Sequence, residues 1–167
     1  EQAGLLTGKR RLLIAPHAEL HYLPFSALIA TDSANEFLIE RFDVSYVPSA
    51  SVWAQLRARA QPVAGGEILA LAPKAATLPG TRDEVEAIRG ICGDRVTVLV
   101  DSSASEAALR SASSRYDIIH LATYGVLNKH NPLFSFLELE PGGADDGRLE
   151  VHEVFGLRLN ARLVVLS

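Results

Sequence analysis

Residues 68–72 of the chain read Ile-Leu-Ala-Leu-Ala, a run in which every position is apolar. A strand that is apolar throughout is typical of a parallel sheet that is covered on both faces. Similar runs follow at 96–100 (VTVLV) and 163–166 (LVVL), and the run at 118–122 (IIHLA) differs by one histidine. Segments with helical patterns separate these runs. The alternation predicts an α/β fold with an open, mainly parallel sheet and helices on both faces.

The helix starts are marked by polar residues with capping spacing. Thr81 and Glu84 have the spacing of a capping box before a helix with Val85 and Ile88 on its buried side. Ser103 and Glu106 repeat the pattern before a second helix.

The first part of the chain has a different hydrophobic pattern, with short runs of alternating apolar and polar residues that end at prolines. Residues 11–15 and 19–23 are predicted to form a hairpin, and 42–47 a strand with one exposed face. We therefore expect a β-rich N-terminal arm over residues 1–62 and an α/β core over 63–167.

The composition limits the possible functions. The 167 residues carry a net charge of −4, and 16 basic residues face 20 acidic ones without a basic block, so nucleic acid is not the expected partner. A single cysteine, Cys92, excludes an internal disulfide framework. No apolar run is long enough to span a bilayer, and we expect no membrane association and a cytoplasmic location. Since the chain has no methionine, we expect it to be part of a longer product.

Generic ligand-binding motifs are missing. There is no G-x-G-x-x-G, Walker loop or G-x-S-x-G elbow, so a nucleotide- or effector-binding domain remains an alternative that rests on the fold alone. His17 and His21 are four residues apart, but in a strand this separates them by about 13 Å, too far to share a metal ion. Cys92 is expected to be a small buried hydrophobic residue. No metal and no cofactor are predicted.

Six segments together resemble the CHAT domain, a caspase-like domain of bacterial and fungal proteins that often follows tetratricopeptide repeats. They appear in the order of the family and cover most of the chain. The resemblance implies a caspase-hemoglobinase fold and, in members that act as peptidases, a cysteine endopeptidase. The segments lie at 12–28 (LLIAPHAELHYLPFSAL), 37–52 (FLIERFDVSYVPSASV), 78–88 (LPGTRDEVEAI), 116–139 (YDIIHLATYGVLNKHNPLFSFLEL), 146–157 (DGRLEVHEVFGL) and 161–167 (ARLVVLS).

The family pattern H-x-A-T-H-G appears here as HLATYG, so Tyr124 stands where the catalytic histidine is expected. A phenol has an unperturbed pKa of about 10, against about 6.5 for an imidazole, and is a poor general base near neutrality. His120 lies four strand residues back, about 13 Å away, and is not expected to replace it. Gly125 keeps the backbone N–H that the resemblance assigns to the oxyanion.

The resemblance aligns Ser167 with the serine just ahead of the Ala-Cys that carries the family's nucleophile, which is absent from the chain as given. His120 and Ser167 are expected to support the site. Lys74, Arg82 and Asn128 are expected at the rim of a substrate pocket, where the two cations either favour an acidic side chain or are merely solvated.

We therefore expect a caspase-like module with impaired chemistry that acts as a peptide- or protein-binding or regulatory module, with a repeat domain in the same polypeptide as an expected partner. The alternative is an active cysteine endopeptidase that is regulated by attached repeats and takes its proton acceptor from elsewhere. Self-association through an unpaired sheet edge is also expected.

Overall fold

The computed structural model describes residues 4–31, 35–59 and 66–167. The chain divides into two compact units, Glu1–Gln61 and Pro62–Ser167. The predicted boundary between arm and core, at residues 62 and 63, lies outside the described residues.

The first unit is built around a parallel strand pair. Strand β1 (Arg11–Ile14) pairs with β4 (Asp43–Tyr46), and Leu12 lies opposite Val44. Strands β2 (Ile29–Thr31) and β3 (Glu36–Phe37) form an antiparallel pair in which Ile29 lies opposite Phe37. A helix, α2, begins after Ser49, whose Oγ accepts a hydrogen bond from the Val52 amide at 3.1 Å. The elements are β1 (Arg11–Ile14), β2 (Ile29–Thr31), β3 (Glu36–Phe37), α1 (Leu38–Arg41), β4 (Asp43–Tyr46) and α2 (Ala50–Arg59).

The predicted hairpin in this unit is wrong. Residues Ala18–Tyr22 form a 3-10 helix instead of a strand, with the Leu20 amide bonded to the His17 carbonyl at 3.1 Å. The partner of β1 comes from β4, about thirty residues along the chain, so 19–23 are not needed for its ladder. Alternation over five residues did not distinguish a strand from a short helix.

The second unit contains the parallel sheet that the sequence predicts. Four strands lie in the order β11 (Leu163–Leu166), β7 (Ile118–Leu121), β5 (Ile68–Ala72) and β6 (Val96–Val100), and every neighbouring pair is parallel. The apolar run at 68–72 is the inner strand β5, with all five residues buried. The helices of this sheet are α3 (Pro79–Cys92), which lies between β5 and β6 in the chain, and α4 (Glu106–Ala112), which lies between β6 and β7.

Successive residues of β5 enter two different cores. Leu69 and Leu71 pack in a cluster with Leu109 of α4. Ala70 packs in the opposite cluster with Val85 of α3. Burying a leucine side chain stabilises a fold by roughly 1.5–3 kcal/mol, so both helices are needed to cover the sheet. The expectation of helices on both faces is confirmed.

A small antiparallel sheet completes the unit, with three short strands in the order β10 (Arg148–Glu150), β9 (Phe136–Glu138) and β8 (Gly125–Val126). The central strand β9 has a partner on each side. Gly125 pairs with Leu137, and Leu149 pairs with the same residue from the other side. The remaining elements are β8 (Gly125–Val126), β9 (Phe136–Glu138), β10 (Arg148–Glu150), α5 (Val151–Val154) and β11 (Leu163–Leu166).

Both predicted capping boxes of this unit are wrong in detail. Helix α3 begins at Pro79, which needs no amide partner, and the Thr81 hydroxyl donates to the Leu78 carbonyl at 2.7 Å instead of accepting. Helix α4 is capped by Ser105, whose Oγ accepts from the Ala108 amide at 3.2 Å. Ser103 instead bonds back to the end of β6. The carboxylate of Glu84 is thereby free of a capping role.

Candidate functional site

The carboxyl ends of the four parallel strands meet at one edge of the sheet. Strand β7 ends at Leu121, and its neighbours β5 and β11 end at Ala72 and Leu166. In open α/β sheets this edge is where ligands bind. The residues that the sequence singles out after these strands therefore lie at the expected edge.

Tyr124 and Gly125 sit just past the end of β7, on a backbone that is held at several points. The Thr123 amide donates to the Ser167 carbonyl at 3.1 Å, and its Oγ1 donates to the Glu138 carbonyl at 2.5 Å. The Tyr124 carbonyl accepts from the Glu138 amide at 2.9 Å. The Tyr124 side chain is 49% exposed, so the phenol is presented to solvent at this edge.

Gly125 begins β8, the edge strand of the small sheet. A Cβ at this position would lie 3.6 Å from Leu137 Cδ2, an ordinary van der Waals distance. The fold itself therefore accepts a side chain here, and the glycine matters for what can approach its backbone.

His120 and Ser167 are joined through Glu84, a residue whose role here the sequence did not reveal. His120 Nε2 lies 2.9 Å from Glu84 Oε1. The Ser167 Oγ donates to the same carboxylate, at 2.8 Å to Oε1 and 3.0 Å to Oε2. One signal was available: Glu84 is four residues before Ile88, so the two share a helix face, and Ile88 faces the sheet. His120 is buried and committed to this carboxylate.

The two cations of the loop after β5 are held in ion pairs. Lys74 Nζ lies 2.9 Å from Glu140 Oε1 and 3.9 Å from Glu138 Oε1. Arg82 Nη2 lies 2.5 Å from Asp101 Oδ2. Each of the two cations therefore has a carboxylate partner within ion-pair distance.

Asp101 anchors this loop from the end of β6. Its Oδ1 accepts a hydrogen bond from the Ala76 amide at 3.1 Å while its other oxygen meets Arg82. The loop after β5 is therefore fixed on one side by Asp101 and on the other by the acidic partners of Lys74.

Asn128 shapes the loop that follows β8. Its Oδ1 accepts from the amides of His130 at 3.1 Å and Asn131 at 3.0 Å, and its own amide donates to Ser135 Oγ at 3.0 Å. These contacts are those of a turn-forming asparagine. The side chain oxygen is used by the loop itself.

An open apolar cleft of about 370 Å³ lies beside Gly125. Val126 and Phe136 line it from the small sheet, and Leu166 lines it from the end of β11. A cleft of this size is within the range of ligand pockets, and its walls favour apolar groups. The edge of the sheet therefore combines an exposed phenol, a glycine backbone and an apolar surface.

A second cluster of charges lies around Glu106, at the start of α4. Glu106 is 1% exposed and pairs with Arg110, which also lies 3.8 Å from Asp145 and 3.8 Å from Glu153. Burial raises the pKa of the Glu106 carboxyl, and the carboxylates of Glu153 and Asp145 raise it further, against the opposing effect of Arg110. These contacts join α4 to the loop after β9 and to α5.

Within the ranges that the structure describes, no group of three or more His, Cys, Asp or Glu side chains is arranged to hold a metal ion. His17 precedes the 3-10 helix that contains His21. Cys92 ends α3 and packs against the core face that includes Val85. None of the helices in the described part of the chain is long and apolar enough to cross a membrane.

The parallel sheet covered by helices on both faces, with Tyr124 and Gly125 at its carboxyl edge, has the architecture of a caspase-like α/β domain. The family model described as CHAT domain matches residues 2–167. The chain therefore belongs to the CHAT domain family, a caspase-like peptidase family. No curated protein matches the chain.

Proposed function

We propose that this chain is a CHAT domain in which peptidase chemistry is lost and peptide or protein binding is kept. The observation that carries the proposal is Tyr124, an exposed phenol at the end of β7 where the family pattern has a histidine. A cysteine peptidase needs a group that accepts the thiol proton and forms a cation beside the thiolate. A phenol does neither near neutral pH.

His120 does not supply the missing base. Its side chain is buried, and its Nε2 is engaged by Glu84 at 2.9 Å. To act at the edge it would have to leave this carboxylate and pass the end of its own strand. The burial of His120 and its contact with Glu84 therefore support an inert site.

The binding role is supported by the features that remain beside Tyr124. Strand β8 is at the edge of its sheet, so an extended peptide can add to it through backbone hydrogen bonds. The apolar cleft next to Gly125 then receives an apolar side chain of that peptide. The ion pairs of Lys74 and Arg82 argue against a preference for an acidic side chain.

The setting of the domain is part of the same proposal. We place it in the cytoplasm, in a polypeptide that also carries tetratricopeptide repeats, which regulate access to the cleft. Self-association through the free edge of β11 is a further element, because an apolar edge strand pairs readily with another chain.

The test uses the natural polypeptide that contains this chain and a library of unstructured peptides. Peptides retained on the immobilised protein are identified by mass spectrometry, and the unbound fraction is searched for cleavage products. We expect retention of intact peptides with apolar side chains and no cleavage. Cleavage of library peptides would refute the loss of chemistry, and retention of none would refute the binding role.

The active cysteine endopeptidase is the second candidate, favoured by the match over residues 2–167 and by Gly125 in the position of the oxyanion donor. It requires a proton acceptor other than Tyr124. The cleavage arm of the library experiment separates it from the first proposal. A calorimetric titration with common nucleotides tests the nucleotide-binding alternative, and we expect no heat of binding.

A further inference from the structure

The end of strand β11 is held by a carboxylate from a helix on the face of the sheet. Glu84, on α3, bonds to His120 of β7 and to Ser167, the residue that follows β11. Three separate segments of the chain therefore meet at one side chain. In the described part of the chain, Glu84 is the side chain that bonds to Ser167 Oγ.

The backbone of the same segment is the last rung of the pairing between β7 and β11. The Ser167 amide donates to the Leu121 carbonyl at 3.1 Å, and the Thr123 amide donates to the Ser167 carbonyl at 3.1 Å. These two bonds lie at the carboxyl end of β11, the outer strand of the sheet order β11-β7-β5-β6. A side-chain hydrogen bond to Ser167 therefore helps to keep these two backbone hydrogen bonds formed.

Glu84 is suited to this role because a carboxylate accepts several hydrogen bonds at once. It accepts one from the imidazole, and its two oxygens share the single hydroxyl proton of Ser167. His120 is 7% exposed, so its N–H has little access to water if the carboxylate is removed. The pairing also fixes the imidazole as a donor through Nε2.

We propose that Glu84 is a positioning residue, which holds the end of β11 against His120 and so fixes Ser167 beside Thr123 and the cleft. Leu166, the residue before Ser167, lines that cleft. Fixing the strand end therefore fixes one wall of the cleft. The consequence for peptide binding rests on the proposed function, whereas the effect of Glu84 on the backbone hydrogen bonds of Ser167 does not.

The test is amide hydrogen exchange, measured residue by residue by NMR in the natural polypeptide without ligand. Glu84→Gln keeps the size of the side chain but removes its charge and one acceptor. We expect exchange of the Thr123 amide to accelerate by about tenfold, since hydrogen bonds to charged groups contribute more than neutral ones. The Ala122 amide, which donates to Leu71 of β5, is the internal reference and keeps its rate.

Matched variants separate positioning from general stability. Glu86→Gln makes the same chemical change two residues away on α3, where the carboxylate contacts Arg89, and it leaves Thr123 exchange unchanged. Ser167→Ala accelerates exchange of the Thr123 amide, whereas Ser167→Thr, which keeps a hydroxyl, leaves that exchange at the wild-type rate. These serine variants keep the proposal testable if Glu84→Gln does not fold.

Two results would overturn the proposal. One is an equal acceleration at Thr123 and Ala122 in Glu84→Gln, which would mean that the whole sheet is destabilised. The other is unchanged Thr123 exchange in Ser167→Ala. Peptide affinity is then measured for the same variants. If no peptide binds even to the wild type, the proposed function fails while the exchange result still decides the role of Glu84.

Discussion

Replacement of Gly147 by alanine tests how tightly the loop between β9 and β10 is packed. Gly147 has φ of +84°, and an added Cβ would lie 2.8 Å from the Leu139 carbonyl oxygen and 2.8 Å from the Pro141 nitrogen. The left-handed conformation costs alanine about 1–2 kcal/mol. The clash is with backbone, so a shift of the strand adds roughly 1–3 kcal/mol. The sum is a loss of about 3 kcal/mol in the free energy of unfolding.

The assay is thermal unfolding followed by circular dichroism, with Gly143→Ala as the matched control. Gly143 also has a positive φ, of +67°, but its Cβ would meet nothing within 4 Å. At about 2–4 °C per kcal/mol for a domain of this size, we expect Gly147→Ala to lower Tm by about 6–12 °C and Gly143→Ala by about 2–8 °C. Equal shifts in the two variants would refute the close backbone approach at Gly147.

Three further predictions concern the site and its support. Gly125→Ala leaves Tm unchanged, because its Cβ meets Leu137 at 3.6 Å, but lowers the affinity for extended peptides by about tenfold in fluorescence anisotropy, and unaltered affinity would remove the glycine from the binding surface. The pKa of the Glu106 carboxyl is raised in the folded protein, so the folded protein keeps this proton at pH values where the unfolded chain loses it. The unfolding free energy measured in urea therefore falls as the pH rises above 4.5 and through the raised folded-state pKa. Glu106→Gln makes this pH dependence less steep, and an unchanged pH dependence would contradict the assignment to Glu106. Ser105→Ala removes the cap of α4 and lowers the unfolding free energy by about 1 kcal/mol, whereas the exposed Ser111→Ala changes it little, and equal effects would argue against the cap.

The parallel sheet was predictable because its signal is local. Every residue of β5 is apolar, since Leu69 and Ala70 face opposite cores that are both filled by helices. The run at 118–122 was recognised for the same reason although it contains His120. A pattern that burial imposes on five consecutive residues is readable without knowledge of the partners.

The small sheet was less predictable because its strands are two or three residues long. Gly125 and Val126 carry no strand pattern of their own, and they are strands only because Leu137 and Phe136 lie opposite. The prediction of a strand at 19–23, where the structure has a 3-10 helix, was wrong for a related reason. Its alternation was real, but the partner of β1 is elsewhere in the chain.

The place of Tyr124 and Gly125 in the fold could be predicted, but the contacts around them could not. Both residues follow β7 at the carboxyl edge of the sheet, whereas the link from Ser167 to Glu84 spans 83 residues in sequence. No local pattern encodes such a contact. The ion pairs of Lys74 and Arg82 have the same origin, since their carboxylate partners belong to other segments.

The most direct test of the account is the rate of peptide hydrolysis by the natural polypeptide with Tyr124, with Tyr124→His and with Tyr124→Phe. The assay follows the cleavage products of a peptide that the wild type retains. The account predicts no turnover by the wild type or Tyr124→Phe, and measurable turnover by Tyr124→His if a thiol stands where the family has one. Turnover of the peptide by the wild-type protein would contradict it.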